Sequence, residues 1–165
     1  MSIKNHSSYK IYKVQETSTE DGFKCIQEFE NEELRREMWF KKENGLLSSY
    51  NDKPALITYD SAENLRNDFH GSADSKYDDP LKELKIEVWY EDGFRRRNKN
   101  DLPTMIIYSE QHKICEIWCN KLGHIDRCKG NGVFLPAIIW YYDGTEKVKD
   151  RIWYEDGNEI KIDDE

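Results

Sequence analysis

The sequence predicts an all-β fold: a meander of short antiparallel β-hairpin repeats forming an open, curved or rolled sheet. Three observations predict it. A Trp-centred segment recurs as Glu37-Met38-Trp39-Phe40, Glu87-Val88-Trp89-Tyr90, Glu116-Ile117-Trp118-Cys119 and Arg151-Ile152-Trp153-Tyr154, so four of the five tryptophans share one slot. A glycine follows each Trp by four to six residues, at Gly45, Gly93, Gly123 and Gly157. Three units then run into a second motif, Pro54-Ala55-Leu56-Ile57-Thr58-Tyr59, Pro103-Thr104-Met105-Ile106-Ile107-Tyr108 and Pro136-Ala137-Ile138-Ile139-Trp140-Tyr141. Self-similarity of this kind marks stacked copies of one supersecondary unit.

The residue types say what one unit is. The apolar–Trp–aromatic run reads as a strand, and Asn44-Gly45, Asp92-Gly93 and Asp156-Gly157 supply the positive φ angles of a tight hairpin turn. A second, often polar strand follows, such as Phe94-Arg95-Arg96-Arg97. Proline then opens a third strand, where its missing N–H is tolerated. In that strand Ala55, Ile57 and Tyr59 point one way and Leu56 and Thr58 the other. Asp143-Gly144 turns the chain into the last unit.

The elements in order form a single domain. Residues 1–36 read as degenerate hairpins, with a strand from Tyr9 to Val14, a turn at Asp21-Gly22 and a partner strand from Phe23 to Ile26. Residues 37–59 are the first repeat, 82–108 the second, 109–142 the third and 143–165 a C-terminal capping repeat without the Pro motif. Residues 60–81 are a polar insertion, read as a long loop with room for a helical turn, or as a worn-down repeat whose turn is His70-Gly71.

Composition sets outer limits. Apolar residues make up 37% and aromatic residues 13%, which suits thin β-structure covered by aromatic rings. The formal net charge is −8, so the chain as a whole repels phosphate backbones and nucleic acid is not an expected partner. The longest apolar run, residues 133–142, is broken by Pro136 and too short to span a membrane, and the N-terminus lacks the apolar stretch of a secretion signal. The four cysteines are expected as reduced thiols in a cytosol-like compartment.

The W-[YF]-x-x-G and P-A-x-I-x-Y motifs resemble the aromatic–Gly hairpin repeats encoded in many copies by giant DNA viruses of the mimivirus and marseillevirus kind, distant relatives of MORN repeats. The resemblance covers residues 37–59 and 87–162, with departures at Cys119, where an aromatic is usual, and at the 60–81 insertion. It implies a non-enzymatic scaffold or protein–protein interaction module, acting as a virion component or in the host cytoplasm. Its partner would be a viral structural or host protein, with self-association through unpaired sheet edges as a further expectation. The alternatives are an acidic inhibitor or immunity-type protein that blocks a nuclease or defence enzyme, and a zinc-dependent nucleic-acid-binding module.

Candidate sites are few. Cys115, Cys119, His124 and Cys128 mimic the spacing of a zinc knuckle, but the repeat makes residues 116–118 a strand. That strand sets Cys115 and Cys119 about 13 Å apart at ~3.3 Å per residue, too far for one ion. Cys119 reads instead as packing in an aromatic slot, and Cys128 is placed across the hairpin from residues 116 and 117, near Cys115. Arg95, Arg96, Arg97 and Lys99 form a basic run that either grips an acidic partner or pairs with the abundant carboxylates. The Trp slots read as a core stripe stacked between hairpins rather than an exposed ladder, and Tyr59, Tyr108 and Tyr141 are read the same way. No catalytic motif and no cofactor is indicated, because the four histidines lack nucleophile–base spacing and Asp78-Asp79 is one carboxylate pair among many.

Overall fold

The computed structural model describes residues 13–61, 82–97, 101–129 and 133–161. The strand expected from Tyr9 is therefore seen only from Lys13. The insertion from residue 62 onward, Lys99, His6, His70, Asp78 and Asp79 lie outside the described residues.

The all-β expectation holds. The strands are β1 (Lys13–Ser18), β2 (Phe23–Glu30), β3 (Glu33–Lys41), β4 (Leu56–Ser61), β5 (Glu83–Val88), β6 (Tyr90–Glu91) and β7 (Phe94–Arg95). They continue with β8 (Met105–Ser109), β9 (His112–Ile117), β10 (Cys128–Lys129), β11 (Val133–Phe134), β12 (Ile138–Tyr141), β13 (Val148–Glu155) and β14 (Asn158–Ile160). One open antiparallel sheet of ten strands runs β1-β2-β3-β4-β5-β8-β9-β12-β13-β14. Turn chemistry sets the register at several tips. Asp92-Gly93 and Asp156-Gly157 both take positive φ at both positions, as a two-residue hairpin loop requires. Asn31-Glu32 does the same between β2 and β3 without a glycine, a turn the sequence reading missed. The boundary drawn at residues 36 and 37 falls inside β3.

Two expectations are corrected. Proline does not open its strand: β4, β8 and β12 start two residues later, at Leu56, Met105 and Ile138. The polar segment after the turn also does not lie in the meander in the second and third units, whereas after Asp156-Gly157 it does, as β14. β6–β7 and β10–β11 form separate two-stranded ribbons, and each Trp strand pairs directly with the following Pro strand, as in Met38↔Leu56, Val88↔Met105 and Ile117↔Ile138. The physical reason lies in the residue after Trp89 and Trp118. Tyr90 and Cys119 pack on the apolar core, so these two hairpins leave the ladder at Trp and their distal halves serve the core. Successive distal halves also join each other, through Gly93 N–H to Leu47 O (2.9 Å), Ser49 N–H to Tyr90 O (2.8 Å) and Gly157 N–H to Ile125 O (2.9 Å).

The core follows from alternation along the strands. On one face Ile26, Met38, Leu56, Val88, Met105, Ile117, Ile138 and Ile152 lie directly opposite one another, strand to strand, in a single row that Glu16 ends on β1. The adjacent row holds Ile86, Ile107, Cys115 and Trp140, all buried. This is the apolar face. The row between them in sequence, on the opposite face, reads Gln27, Glu37, Ile57, Glu87, Ile106, Glu116, Ile139 and Arg151. The repeat thus prints a carboxylate–isoleucine alternation across the sheet.

Candidate functional site

The face that carries the Glu–Ile row is the candidate site. A second row on it runs Tyr59, Lys85, Tyr108 and Lys113 in direct register, with Tyr141 beyond. Each lysine reaches a tyrosine ring and a carboxylate. Lys85 Nζ lies 5.3 Å from the Tyr108 centroid and 2.5 Å from Glu87; Lys113 Nζ lies 4.7 Å from the Tyr141 centroid and 2.9 Å from Glu116. Tyr108 Oη donates to Glu87 at 3.2 Å and Tyr141 Oη to Glu116. Burial, followed by the Glu87 charge, pushes the Tyr108 hydroxyl up to about 12, and burial with the Glu116 hydrogen bond raises Tyr141 further in the same direction. A shallow cleft of about 620 Å³ opens beside Tyr108, Lys113 and Tyr141, walled by His112 and Thr145.

At the end of this face sits a clasp around Trp89 and another around Trp118. Arg97 lies over Trp89 with Cζ 3.9 Å from the ring centroid, and Arg127 over Trp118 at 3.8 Å. The same guanidinium groups bind Asp52 and Asp101, whose carbonyls accept the indole N–H of Trp89 (3.0 Å) and Trp118 (2.9 Å). Each also donates to the proline carbonyl that precedes the next strand, Pro103 O at 3.5 Å and Pro136 O at 3.3 Å. In the first unit Tyr50 takes the arginine's place, stacked 5.1 Å from Trp39 and donating to Asp21 at 2.8 Å. Trp89 and Trp118 are buried, but outside the apolar cluster, while Trp39 and Trp153 are half-buried. Burial of Trp89 and Trp118 agrees with a core role for these two slots, and an arginine covers each of their indoles. Tyr59, Tyr108 and Tyr141 are not core residues, being half-buried on the Glu–Ile face.

The described arginines of the basic run have partners within the chain. Arg96 pairs with Glu91 at 2.8 Å, Arg97 with Asp52, and exposed Arg95 donates to Tyr90 Oη at 3.3 Å. The sequence reading missed Arg127, Asp52 and Asp101. The signal was present: Arg97 and Arg127 follow Gly93 and Gly123 by four residues, and the aspartates precede Pro54 and Pro103 by two.

The Cys/His group does not assemble around a point. Cys115 is fully buried in the core, Cys119 packs against it, and His124 is exposed on the hairpin tip. Burial lifts the Cys119 thiol to about 11. Cys128 is not across from residues 116 and 117: its backbone pairs with Phe134, and Cys115 faces Ile107 and Trp140. The ribbon that leaves the sheet at Trp118 causes this. Among the described residues no group of three or more His, Cys, Asp or Glu side chains is placed to hold a metal ion. No helix of the described residues is long and apolar enough to cross a membrane.

The remaining framework positions mark the turns and strand entries. Gly45, Gly123, Gly144 and Gly157 have positive φ, and Ala55, Thr104 and Ala137, next to Pro54, Pro103 and Pro136, are buried to 2% exposure or less. Their carbonyls accept the Trp39, Trp89 and Trp118 amides at 2.8–2.9 Å. Comparison with known proteins places the chain beside none of them: no family model, no curated protein and no solved structure matches.

Proposed function

We propose that the protein is a non-enzymatic interaction scaffold whose Glu–Ile face docks a protein partner. One observation carries the reading. Ile57, Ile106 and Ile139 with Tyr59, Tyr108 and Tyr141 recur every second strand, a spacing of about 9.6 Å at ~4.8 Å per strand, and all are half-buried. Surfaces rich in tyrosine have the make-up of an interface centre. Lys85 and Lys113 are already paired with Glu87 and Glu116, so at the centre of this face a partner would meet little uncompensated charge. The likeness of the repeat to viral hairpin repeats supports a site of action on a virion or in host cytoplasm.

The test is affinity capture with crosslinking, using the tagged chain and two variants of unchanged circular dichroism. Ile106→Lys with Ile139→Lys should abolish capture of partners that Arg95→Glu, on the exposed ribbon, retains. Equal capture by both variants would reduce the face to a solvated sheet surface.

A further inference from the structure

We infer that the outer edge of β13, centred on Arg151, is a docking site for an extended acidic strand from a different protein. The inference rests on the interaction reading above and adds a second surface with its own chemistry.

The chain makes this kind of junction three times within itself. At Met38, Val88 and Ile117, the residue before each Trp, an incoming strand places Leu56, Met105 or Ile138 directly opposite. Three residue pairs suffice for a junction, as in Arg36–Met38 with Leu56–Thr58. Ile152 holds the same slot in β13, and the apolar row that crosses the sheet ends there, half-buried. Among the described residues, the outer side of β13 is paired over Trp153–Glu155, with its own hairpin return β14. Among the described residues no strand continues the sheet opposite Arg151 and Ile152.

Register fixes which atoms are offered. Ile152 O accepts from Ala137 N at 2.9 Å, so Ile152 faces β12 and Arg151 faces outward by alternation. The residue docked opposite Arg151 would exchange both backbone bonds with it. At present the Arg151 amide is held by Asp150 Oδ1 at 2.8 Å, a local contact that an incoming carbonyl would replace.

Side-chain chemistry fixes the occupant. In the three internal junctions the outward position carries Glu37, Glu87 or Glu116 and meets an isoleucine. In β13 that position is Arg151, exposed, at the end of the Glu–Ile row. A fitting strand has an aliphatic residue opposite Ile152 and a carboxylate opposite Arg151. A second copy fits poorly. Two β13 edges related by a two-fold axis would bring Arg151 of both copies together. β1 fails by parity: Thr19 N–H bonds Phe23 O toward β2, so the outward residues of β1 are Val14 and Glu16, which lie on the apolar face. Joined to β13, they would be turned onto the opposite face.

The test uses two synthetic ten-residue peptides with the sequence of residues 52–61, one natural and one carrying the Ile57→Glu change. Backbone amide shifts of the full chain, followed by NMR at low salt, report the docking position. The Glu peptide should shift Arg151 and Ile152 and bind about five-fold tighter than the Ile peptide, the size of one cross-strand charge pair. Arg151→Glu should reverse that order, and sedimentation should show a monomer throughout. Equal affinities, an order unmoved by Arg151→Glu, shifts at β1 instead, or no shift at millimolar peptide would each overturn the inference. A dimer broken by Arg151→Glu would assign the edge to a second copy and overturn it too. Peptide docking with no captured partner would sink the scaffold reading alone.

Discussion

The Arg127 guanidinium lies 3.8 Å above the indole of Trp118 and is tied at once to Asp101 and to the carbonyl of Pro136. One side chain therefore joins the preceding loop, its own hairpin and the following strand. Arg97 repeats the arrangement on Trp89. Because the repeat units are connected through these clasps, their removal should weaken the stacking of units and not only one hairpin.

Arg127→Ala should destabilise the fold by about 2 kcal/mol, combining a cation–π contact with a charge-assisted fork. Arg97→Ala should cost less, because its distances to Asp52 are 3.4 Å where Arg127 reaches Asp101 at 2.8 and 2.9 Å. Urea denaturation measures both. Equal costs would mean that stacking on the indole dominates and the fork contributes little.

Alkaline stability should depend on Tyr108. Its hydroxyl is held up to about 12 in the folded chain, by burial and the Glu87 charge, against ~10 in an unfolded one. The unfolded state then gives up its proton first, so the contribution is full below pH 10 and is lost as pH rises through 12. Tyr108→Phe should flatten the fall of stability across that window, with phenolate absorbance as the monitor. A wild-type phenolate titration with every tyrosine near 10 would contradict the geometry.

How much of this was legible in the sequence depends on which interaction decides each part. Turns were legible where one residue decides, as at Asp92-Gly93 and Asp156-Gly157. The pairing of the Trp and Pro strands was not, because Phe94-Arg95-Arg96-Arg97 has strand character and only packing of Tyr90 on the core takes it out of the sheet. Periodicity puts Tyr108 and Ile106 on one face, but it does not say which face is buried. Asp52 and Arg97 are 45 residues apart, and their pairing needs the fold.

Core substitutions should rank by depth along the rows. Ile107, 1% exposed at the centre of the apolar face, should lose about 3 kcal/mol as Ile107→Ala, within the usual range for buried aliphatic truncation. Ile152→Ala, at the half-buried end of its row, should lose well under half of that. Thermal or urea unfolding decides the order, and similar losses would mean that the β13 edge is covered.

Native thiols should be inert. Cys115 is fully buried and burial holds the Cys119 thiol near 11, so its protonated form dominates at neutral pH. Cys25 is held near 11 as well, by burial and the Glu37 charge. Reaction with an aromatic disulfide reagent should be slow for these three until urea unfolds the chain. Chelator should leave the melting temperature unchanged, and stoichiometric zinc release would contradict the placement of Cys115 in the core.

The central claim is that each Trp strand pairs with the next Pro strand and that the ribbon between them stands outside the sheet. Cross-strand NMR contacts and amide exchange test it in one experiment. Backbone contacts are expected from Val88 to Met105 and from Ile117 to Ile138, with slow exchange of the Trp39, Trp89 and Trp118 amides. Contacts placing Phe94 and Arg95 between β5 and β8, with fast exchange at those three amides, would contradict it.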